Sequence, residues 1–188
     1  MKHSKVSIRY AKALFDLCLE QKILEQGLQD MMLVSEVYNE NRELRLLLDS
    51  SIVNPEKKVS ILQEIFKQNV SATVLGFLTI LARKRRENNL EEISFEFIHF
   101  YKEHFKIKDI VVRSAQALDE ATRQRIAALI LNKTGYTAEF IEEVDPSLIG
   151  GFVLKMDDMT LDSSISRELK RLELEFRENV YIGKITSH

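Results

Sequence analysis

The spacing of apolar residues along this chain changes once, near residue 107. Up to about Phe105, apolar side chains recur every three or four positions in stretches separated by polar breaks, which is the pattern of amphipathic helices. One helix start is marked by Asn54-Pro55, because Asn accepts a bond from an early helical N–H and Pro fits the first helical position. We therefore predict a six-helix bundle over residues 1–105.

Beyond that point the pattern predicts a small α+β unit over residues 106–188. Three β-branched residues in succession, Ile110 to Val112, are typical of a strand. A helix follows, for which Asp119 is a candidate cap and Gly135 a candidate end, because Gly adopts the left-handed conformation at low cost. Apolar Ala138 and Phe140, with Val144, then predict a second strand. The predicted fold class is mainly α, with a small α+β C-terminal domain.

The second half of this unit is predicted to contain a hairpin and a final helix. A third strand is predicted from Leu148 to Leu154, and its return through Met159 to Leu161 requires a turn at Asp157-Asp158. Asp162 or Ser163 then begins an amphipathic helix. Its apolar face carries Ile165, Leu169, Leu172 and Phe176.

Two helices of the first half have more apolar surface than a bundle helix needs. At about 100° per residue, the apolar arc of the first helix spans roughly 240°, whereas a stripe somewhat over 100° wide suffices for packing on one side. The fifth helix shows the same excess, from Val74 to Ala82. Either the neighbouring helices bury both arcs completely, or Tyr10, Ala13, Leu17 and part of the fifth helix line a groove for an amphipathic helix of another protein.

Composition narrows the function classes. The chain has 27 Lys plus Arg against 29 Asp plus Glu, so no overall field attracts nucleic acid or anionic lipid. Cys18 is the only cysteine, which excludes an internal disulfide, and its neighbours Leu17 and Leu19 indicate a small buried thiol. No secretion signal is expected, and the longest apolar runs fall short of the roughly 20 residues that span a bilayer. Any membrane association is therefore expected to go through partners.

Three features could suggest a chemical site, and each has a simpler structural reading. Gly150-Gly151 is followed by Phe-Val-Leu, which continues a strand instead of opening a phosphate-binding helix. His99 and His104 lie five apart, off the spacing that places two ligands on one helical face. Arg83 to Arg86 fall at a helix end, where cations offset the helix dipole. We predict no catalytic, cofactor-binding or metal-binding residues.

Two stretches resemble the family of delta subunits of bacterial F-type ATP synthase, the equivalent of the mitochondrial oligomycin-sensitivity-conferring protein. Near the start, Arg9-Tyr-Ala-Lys-Ala-Leu-Phe15 is similar to the family's opening Tyr-Ala-x-Ala-Leu-Phe helix. Near the end, Asp145-Pro-Ser-Leu-Ile-Gly-Gly-Phe-Val-Leu-Lys155, followed by Asp162-x-Ser-Ile165 and Leu169, is similar to its C-terminal signature.

The resemblance implies a non-catalytic stator subunit that links the catalytic alpha/beta head to the b-subunit peripheral stalk and resists rotation during proton-driven ATP synthesis. One copy per complex would sit on the cytoplasmic face of the bacterial inner (plasma) membrane, attached to it only through partner subunits. The first domain would bind the N-terminal helices of alpha subunits, and the second the C-terminal ends of the b subunits.

The resemblance also implies two interfaces. The expected alpha-subunit interface consists of Tyr10, Ala13, Leu14, Leu17, Leu75, Leu78 and Thr79. The candidates for contact with b are Ile165, Leu169, Leu172 and Phe176, although the same face could instead pack against the local sheet.

Two other functions stay open at this point. A helical RNA-binding module of the antitermination-factor type could use Arg83 to Arg86 for phosphate contacts, with binding that falls steeply as salt rises. That hypothesis gives no account of the second half. An unassigned enzyme would require a pocket with convergent polar groups.

Overall fold

The computed structural model describes residues 4–148, 150–157, 159–162 and 167, and they form two compact units that divide between Phe105 and Lys106. The described part is mainly helical, with a small sheet in the second unit. The predicted fold class is thereby confirmed.

The first unit is a bundle of six helices with one continuous apolar core. Side-chain oxygens of Ser4, Asn41, Asn54 and Ser71 accept N–H groups at the starts of four of them, which satisfies donors that lack a helical partner. A short 3₁₀ turn, Glu87–Asn89, precedes the last helix. The helices are α1 (Lys5–Glu20), α2 (Leu24–Glu40), α3 (Arg42–Asp49), α4 (Pro55–Phe66), α5 (Ala72–Arg83) and α6 (Leu90–His104).

Contacts along α1 define the directions of its neighbours. Ser7 Oγ donates to Glu92 Oε2 at 2.8 Å near the start of α6, and the Phe15 ring lies 6.1 Å from that of Phe100 further along both helices, so α1 and α6 run parallel. Thr73 Oγ1, at the start of α5, donates to Gln21 Oε1 at 2.8 Å, just past the end of α1. The helix α5 therefore runs antiparallel to α1.

Gly27 allows α2 to approach α1 and α6 closely. A Cβ atom at this position would lie 2.9 Å from Cys18 Sγ and 3.3 Å from Phe97 Cζ, and both of those residues are buried. Real Cβ atoms do not approach a neighbour that closely without displacing it. The glycine is therefore required by packing at this crossing, not by an unusual backbone angle.

A buried ion pair joins three segments at one side of the bundle. Lys58, in the first turn of α4, donates to the Leu48 carbonyl oxygen at 2.6 Å and to Glu87 Oε1. The Leu48 carbonyl belongs to the last turn of α3, where helical partners run out. The other carboxylate oxygen of Glu87, Oε2, is buried without a protein partner. Lys58 is thus the protein group that compensates the Glu87 charge.

Within the residues described, the second unit is a four-stranded sheet with one helix packed on it. Its elements are β1 (Ile107–Ser114), α7 (Glu120–Thr134), β2 (Thr137–Val144), β3 (Phe152–Met156) and β4 (Met159–Asp162). The strand order is β2-β1-β3-β4, with β1 and β2 parallel and the other two pairs antiparallel. Helix α7 supplies the crossover that a parallel pair requires. The buried core consists of Ile110, Val112, Ile126, Ile130 and Leu154.

The third strand begins later than its sequence suggests. Leu148 ends a 3₁₀ turn, Pro146–Leu148, and β3 starts only at Phe152, so the predicted strand from Leu148 is wrong at its start. Asp145 Oδ1 accepts from Ser147 N at 3.0 Å and from Ser147 Oγ at 2.6 Å, which holds this turn and lowers the pKa of the Asp145 carboxyl. Gly151 has φ of 77°, a conformation that favours glycine, immediately before the strand.

The hairpin between β3 and β4 is present, with Asp157 at φ of 50° after Met156. Asp158 and the predicted helix beyond Asp162 lie outside the described residues, apart from Arg167. The four residues named for contact with b lie there too.

The junction between the units is very short. Helix α6 ends at His104, and the Phe105 ring lies 4.7 Å from the Tyr101 ring of that helix. The next residue, Lys106, already accepts a bond through its carbonyl oxygen from Thr137 N at 2.8 Å, beside β1 and β2. Only Phe105 separates the last helical residue from the first sheet hydrogen bond.

Two helical glycines provide a matched test of the close approach. Gly27→Ala is expected to lower the free energy of unfolding by about 1–2 kcal/mol, because overpacking against Cys18 and Phe97 exceeds the gain in helix propensity. Gly76→Ala, where a Cβ would meet nothing within 4 Å, is expected to raise it by about 0.5–1 kcal/mol. Denaturant unfolding followed by circular dichroism measures both, and equal effects would contradict the packing explanation.

The ion pair generates a second stability prediction. Lys58→Met leaves the Glu87 carboxylate buried without a counter-charge and is expected to cost about 3–5 kcal/mol. The double variant Lys58→Met, Glu87→Leu removes both charges and is expected to recover most of that loss. A double variant as unstable as the single one would show that shape, not charge, makes Lys58 necessary.

Candidate protein-binding groove between the first and fifth helices

One face of α1 is buried in the core of the bundle. Ala11, Leu14 and Cys18 are buried on it, and the Phe15 ring packs among aromatic rings of α6. The adjoining edge of the helix behaves differently. Tyr10 is half-buried, Ala13 is exposed, and Leu17 is 40% exposed. The bundle therefore does not cover the whole apolar arc.

The neighbouring edge of α5 is identified by two contacts. The Tyr10 and Phe77 rings meet edge to face with centroids 6.4 Å apart, and Thr73 bonds to Gln21. At about 100° per residue, Gly76 and Ile80 share the edge of α5 that carries Thr73 and Phe77. Ile80 is 52% exposed, and a Cβ at Gly76 would point into open space.

These two neighbouring edges form an exposed surface that is largely apolar. We call it the α1/α5 groove and define it by Tyr10, Ala13 and Leu17 on α1 and by Gly76 and Ile80 on α5. The walls combine an aromatic ring, two branched aliphatic side chains and two positions with little or no side chain. An amphipathic helix binds to such a surface by laying its apolar face between the walls.

The remaining residues predicted for the alpha interface lie elsewhere. Leu14 and Leu78 are in the core, with exposures of 1% and 0%. Leu75 packs against the core, and Thr79 donates through Oγ1 to the Leu75 carbonyl oxygen at 2.9 Å. Both lie about 160° around α5 from Phe77. Sequence reasoning did not name Gly76 and Ile80 as wall residues, because the Tyr10–Phe77 contact sets which edge of α5 faces α1.

A buried carboxylate fixes the start of α5. Asp30 of α2 accepts from Ser71 N through Oδ2 at 2.8 Å and from Gln26 Nε2 through Oδ1 at 2.8 Å. Its negative charge lies at the positive end of the α5 dipole, which is a favourable position. Asp30 therefore anchors one end of the groove wall to the bundle.

Cys18 lies on the buried face of α1 and is shielded from solvent. Burial raises the pKa of its thiol to about 11, and the nearby Asp30 charge acts in the same direction. A thiol with so high a pKa carries little thiolate at neutral pH. Cys18 therefore fills space in the core and is unsuited to act as a nucleophile.

The other chemical candidates have structural partners. The His104 ring lies 5.6 Å from Phe15 and 5.0 Å from Phe105. Arg83, in the last turn of α5, lies 3.4 Å from Glu56 Oε1 in an exposed pair. Within the described residues there is no group of three side chains suited to hold a metal ion. None of the helices in that part of the chain has the length and apolarity needed to cross a membrane.

The second unit has its own apolar cleft, of about 440 Å³, between α7 and the hairpin. Exposed Leu129, Met159 and Leu161 lie on its rim, and Ile110 and Leu154 lie deeper. Most of its lining is apolar, so the cleft is suited to binding a hydrophobic side chain or helix face.

The sequence profile of the family described as the ATP synthase delta (OSCP) subunit matches residues 6–176. The chain belongs to this family. The resemblance inferred from the two motifs is thereby confirmed, and it extends over nearly the whole chain. Membership in this family does not favour the RNA-binding alternative.

Individual relatives agree with this assignment. The ATP synthase subunit delta of Cytophaga hutchinsonii is 36% identical over 180 residues, covering 96% of this chain and 98% of the relative. That of Christiangramia forsetii is 32% identical over 185 residues, covering 98% and 100%. A chain of the Toxoplasma gondii mitochondrial ATP synthase hexamer superposes with a TM-score of 0.64 at 24% identity, covering 92% of this chain and 98% of that one, which shows a shared fold.

The position of Cys18 leads to a test of reactivity. Because burial raises the thiol pKa from 9.0 to about 11, the thiolate fraction at pH 8 is about a hundredfold lower than for an ordinary cysteine. A chromogenic disulfide reagent is therefore expected to leave the native protein unmodified for hours and to react fully after unfolding in denaturant. Rapid reaction of the native protein would contradict this placement.

Proposed function

We propose that this chain is a non-catalytic stator subunit that links the catalytic alpha/beta head of an F-type ATP synthase to the b-subunit peripheral stalk. Rotation of the central stalk drives ATP synthesis only if the head is held still relative to the membrane part. A subunit with this task needs strong binding surfaces and no active site. The observation that carries the proposal is the α1/α5 groove, where the bundle leaves Leu17 and Ile80 exposed beside each other's helices.

In this proposal the first unit binds N-terminal helices of alpha subunits. Tyr10, Ala13 and Leu17 are the contacts proposed on α1, and Gly76 and Ile80 those on α5. The small side chain of Ala13 and the absence of a side chain at Gly76 allow a helix to approach closely. The Tyr10 ring and Ile80 supply the apolar contact area typical of interface hot spots.

The second unit binds the C-terminal ends of the b subunits. The apolar cleft with Leu129, Met159 and Leu161 on its rim supports a hydrophobic contact there. The residues predicted earlier, Ile165, Leu169, Leu172 and Phe176, remain part of this proposal. One copy per complex would join the two partners, on the cytoplasmic face of the bacterial inner membrane, with membrane attachment only through other subunits.

Ala13→Arg tests the head-binding contact. A long charged side chain at an exposed position in the groove is expected to block the incoming helix and to weaken binding of an alpha-subunit N-terminal peptide by about 2–4 kcal/mol. Isothermal titration calorimetry with the full chain measures the affinity. Circular dichroism should show an unchanged fold, because Ala13 lies outside the core.

Ala128→Arg is the matched control, because Ala128 is an exposed helical alanine in the second unit. It is expected to leave the affinity for the alpha peptide unchanged. Equal affinity of Ala13→Arg and the unmodified protein would remove the groove from the head-binding role. Recovery of alpha, beta and b subunits with the tagged chain from solubilised membranes tests the stator role as a whole.

A further inference from the structure

The charges on α1 are ordered in the direction that its own dipole disfavours. Lys5, Arg9 and Lys12 occupy the first half of the helix, and Asp16 and Glu20 occupy the second half, all exposed. The first turn contains no acidic residue and the last turn no basic one. A helix dipole favours acidic side chains near the N-terminus and basic ones near the C-terminus. The observed order therefore does not serve the stability of α1.

The antiparallel α5 adds basic residues at the end of the groove where α1 is also basic. Ser7 bonds to Glu92, so the start of α1 lies at the end of the bundle where α5 finishes and α6 begins. Arg83 to Arg86 therefore lie at the same end as Lys5 and Arg9. At the other end, Thr73 at the start of α5 bonds to Gln21, which follows Glu20, and Asp16 lies about one turn earlier on α1.

Opposite charges reduce this polarity without reversing it. Glu56 pairs with Arg83, and Glu92 is bonded to Ser7, at the cationic end. Lys22 follows α1 at the anionic end. The cationic end still carries Lys5 and Arg9 of α1 and the four consecutive basic residues after Ala82. The α1/α5 groove thus combines apolar walls with a cationic and an anionic end.

We propose that this polarity fixes the direction in which a helical partner binds. The occupant is an amphipathic helix that carries carboxylates at one end of its apolar face and Lys or Arg at the other. Its acidic end lies over Arg9 and Arg83 to Arg86, and its basic end over Asp16 and Glu20. This inference rests on the proposed head-binding function of the groove and specifies the partner's charge pattern and orientation.

Exposed charges at the rim suit such a role. They contribute little to affinity because water and salt screen them, but they distinguish between two orientations of the same apolar contact. Apolar walls alone would accept a helix in either direction. The 16-residue α1 is about 24 Å long at 1.5 Å per residue, longer than the Debye length of about 10 Å at 0.1 M salt, so the two ends act separately.

The test uses a designed helical peptide of about 18 residues with a Leu/Ile face, three Glu at one end and three Lys at the other. A nitroxide label is attached to the acidic end in one preparation and to the basic end in another. Paramagnetic broadening of backbone amide signals is recorded on the ¹⁵N-labelled full chain. The acidic-end label is expected to broaden residues 5–9 most strongly, and the basic-end label residues 17–21.

Reversing the protein's own charges provides the matched variant. The double variant Arg9→Glu, Glu20→Arg keeps the net charge of the chain and leaves the five residues that define the groove unchanged. The orientation preference is expected to weaken by at least half or to reverse. A peptide with Gln in place of all Glu and Lys is expected to bind about 3- to 10-fold more weakly at low salt and to broaden both ends alike.

Two outcomes overturn the inference and leave the head-binding proposal intact. One is equal broadening of both ends of α1 by the charged peptide, and the other is an orientation that the double variant does not change. Failure of the head-binding proposal looks different. In that case Ala13→Arg leaves the binding of both the alpha peptide and the designed peptide unchanged.

Discussion

The bundle depends on how α1 divides its apolar surface. One arc of that helix is packed tightly by α2 and α6, and this packing requires a glycine at the point where α2 crosses Cys18 and Phe97. The adjoining edge of the helix, at Ala13 and Leu17, stays exposed. The bundle core and the proposed partner surface thus occupy different sides of the same helix.

The second wall of the groove is held at both of its ends by buried charges. Asp30 fixes the start of α5 through the Ser71 amide. Just beyond the end of α5, Glu87 is held by Lys58, which also binds the last turn of α3. A helix anchored in this way loses little freedom when a partner binds, so less of the binding free energy is spent on ordering. These two polar contacts thus organise a surface that they do not touch.

Sequence patterns predicted most of the fold and about half of the groove. Helix starts such as Asn54-Pro55 follow local rules, and the exposed edge of α1 follows from the width of its apolar arc. The wall of α5 could not be predicted in the same way, because the rotation of that helix is set by the Tyr10–Phe77 contact and not by its own sequence. The burial of Lys58 could not be predicted for a related reason. A lysine in a polar run indicates a solvent-exposed position, and only the tertiary structure shows that Lys58 pairs with Glu87.

The junction at Phe105 has a mechanical consequence. Because the ring of this residue rests on α6 and the next carbonyl already belongs to the sheet hydrogen-bonding pattern, there is almost no slack chain between the two units. One residue spans at most about 3.6 Å, so a pull on one unit reaches the other before the connection has lengthened appreciably. Compliance under load must then come from bending at one residue or from deformation of the units themselves. The peptide connection therefore transmits load between the units with almost no extension of its own.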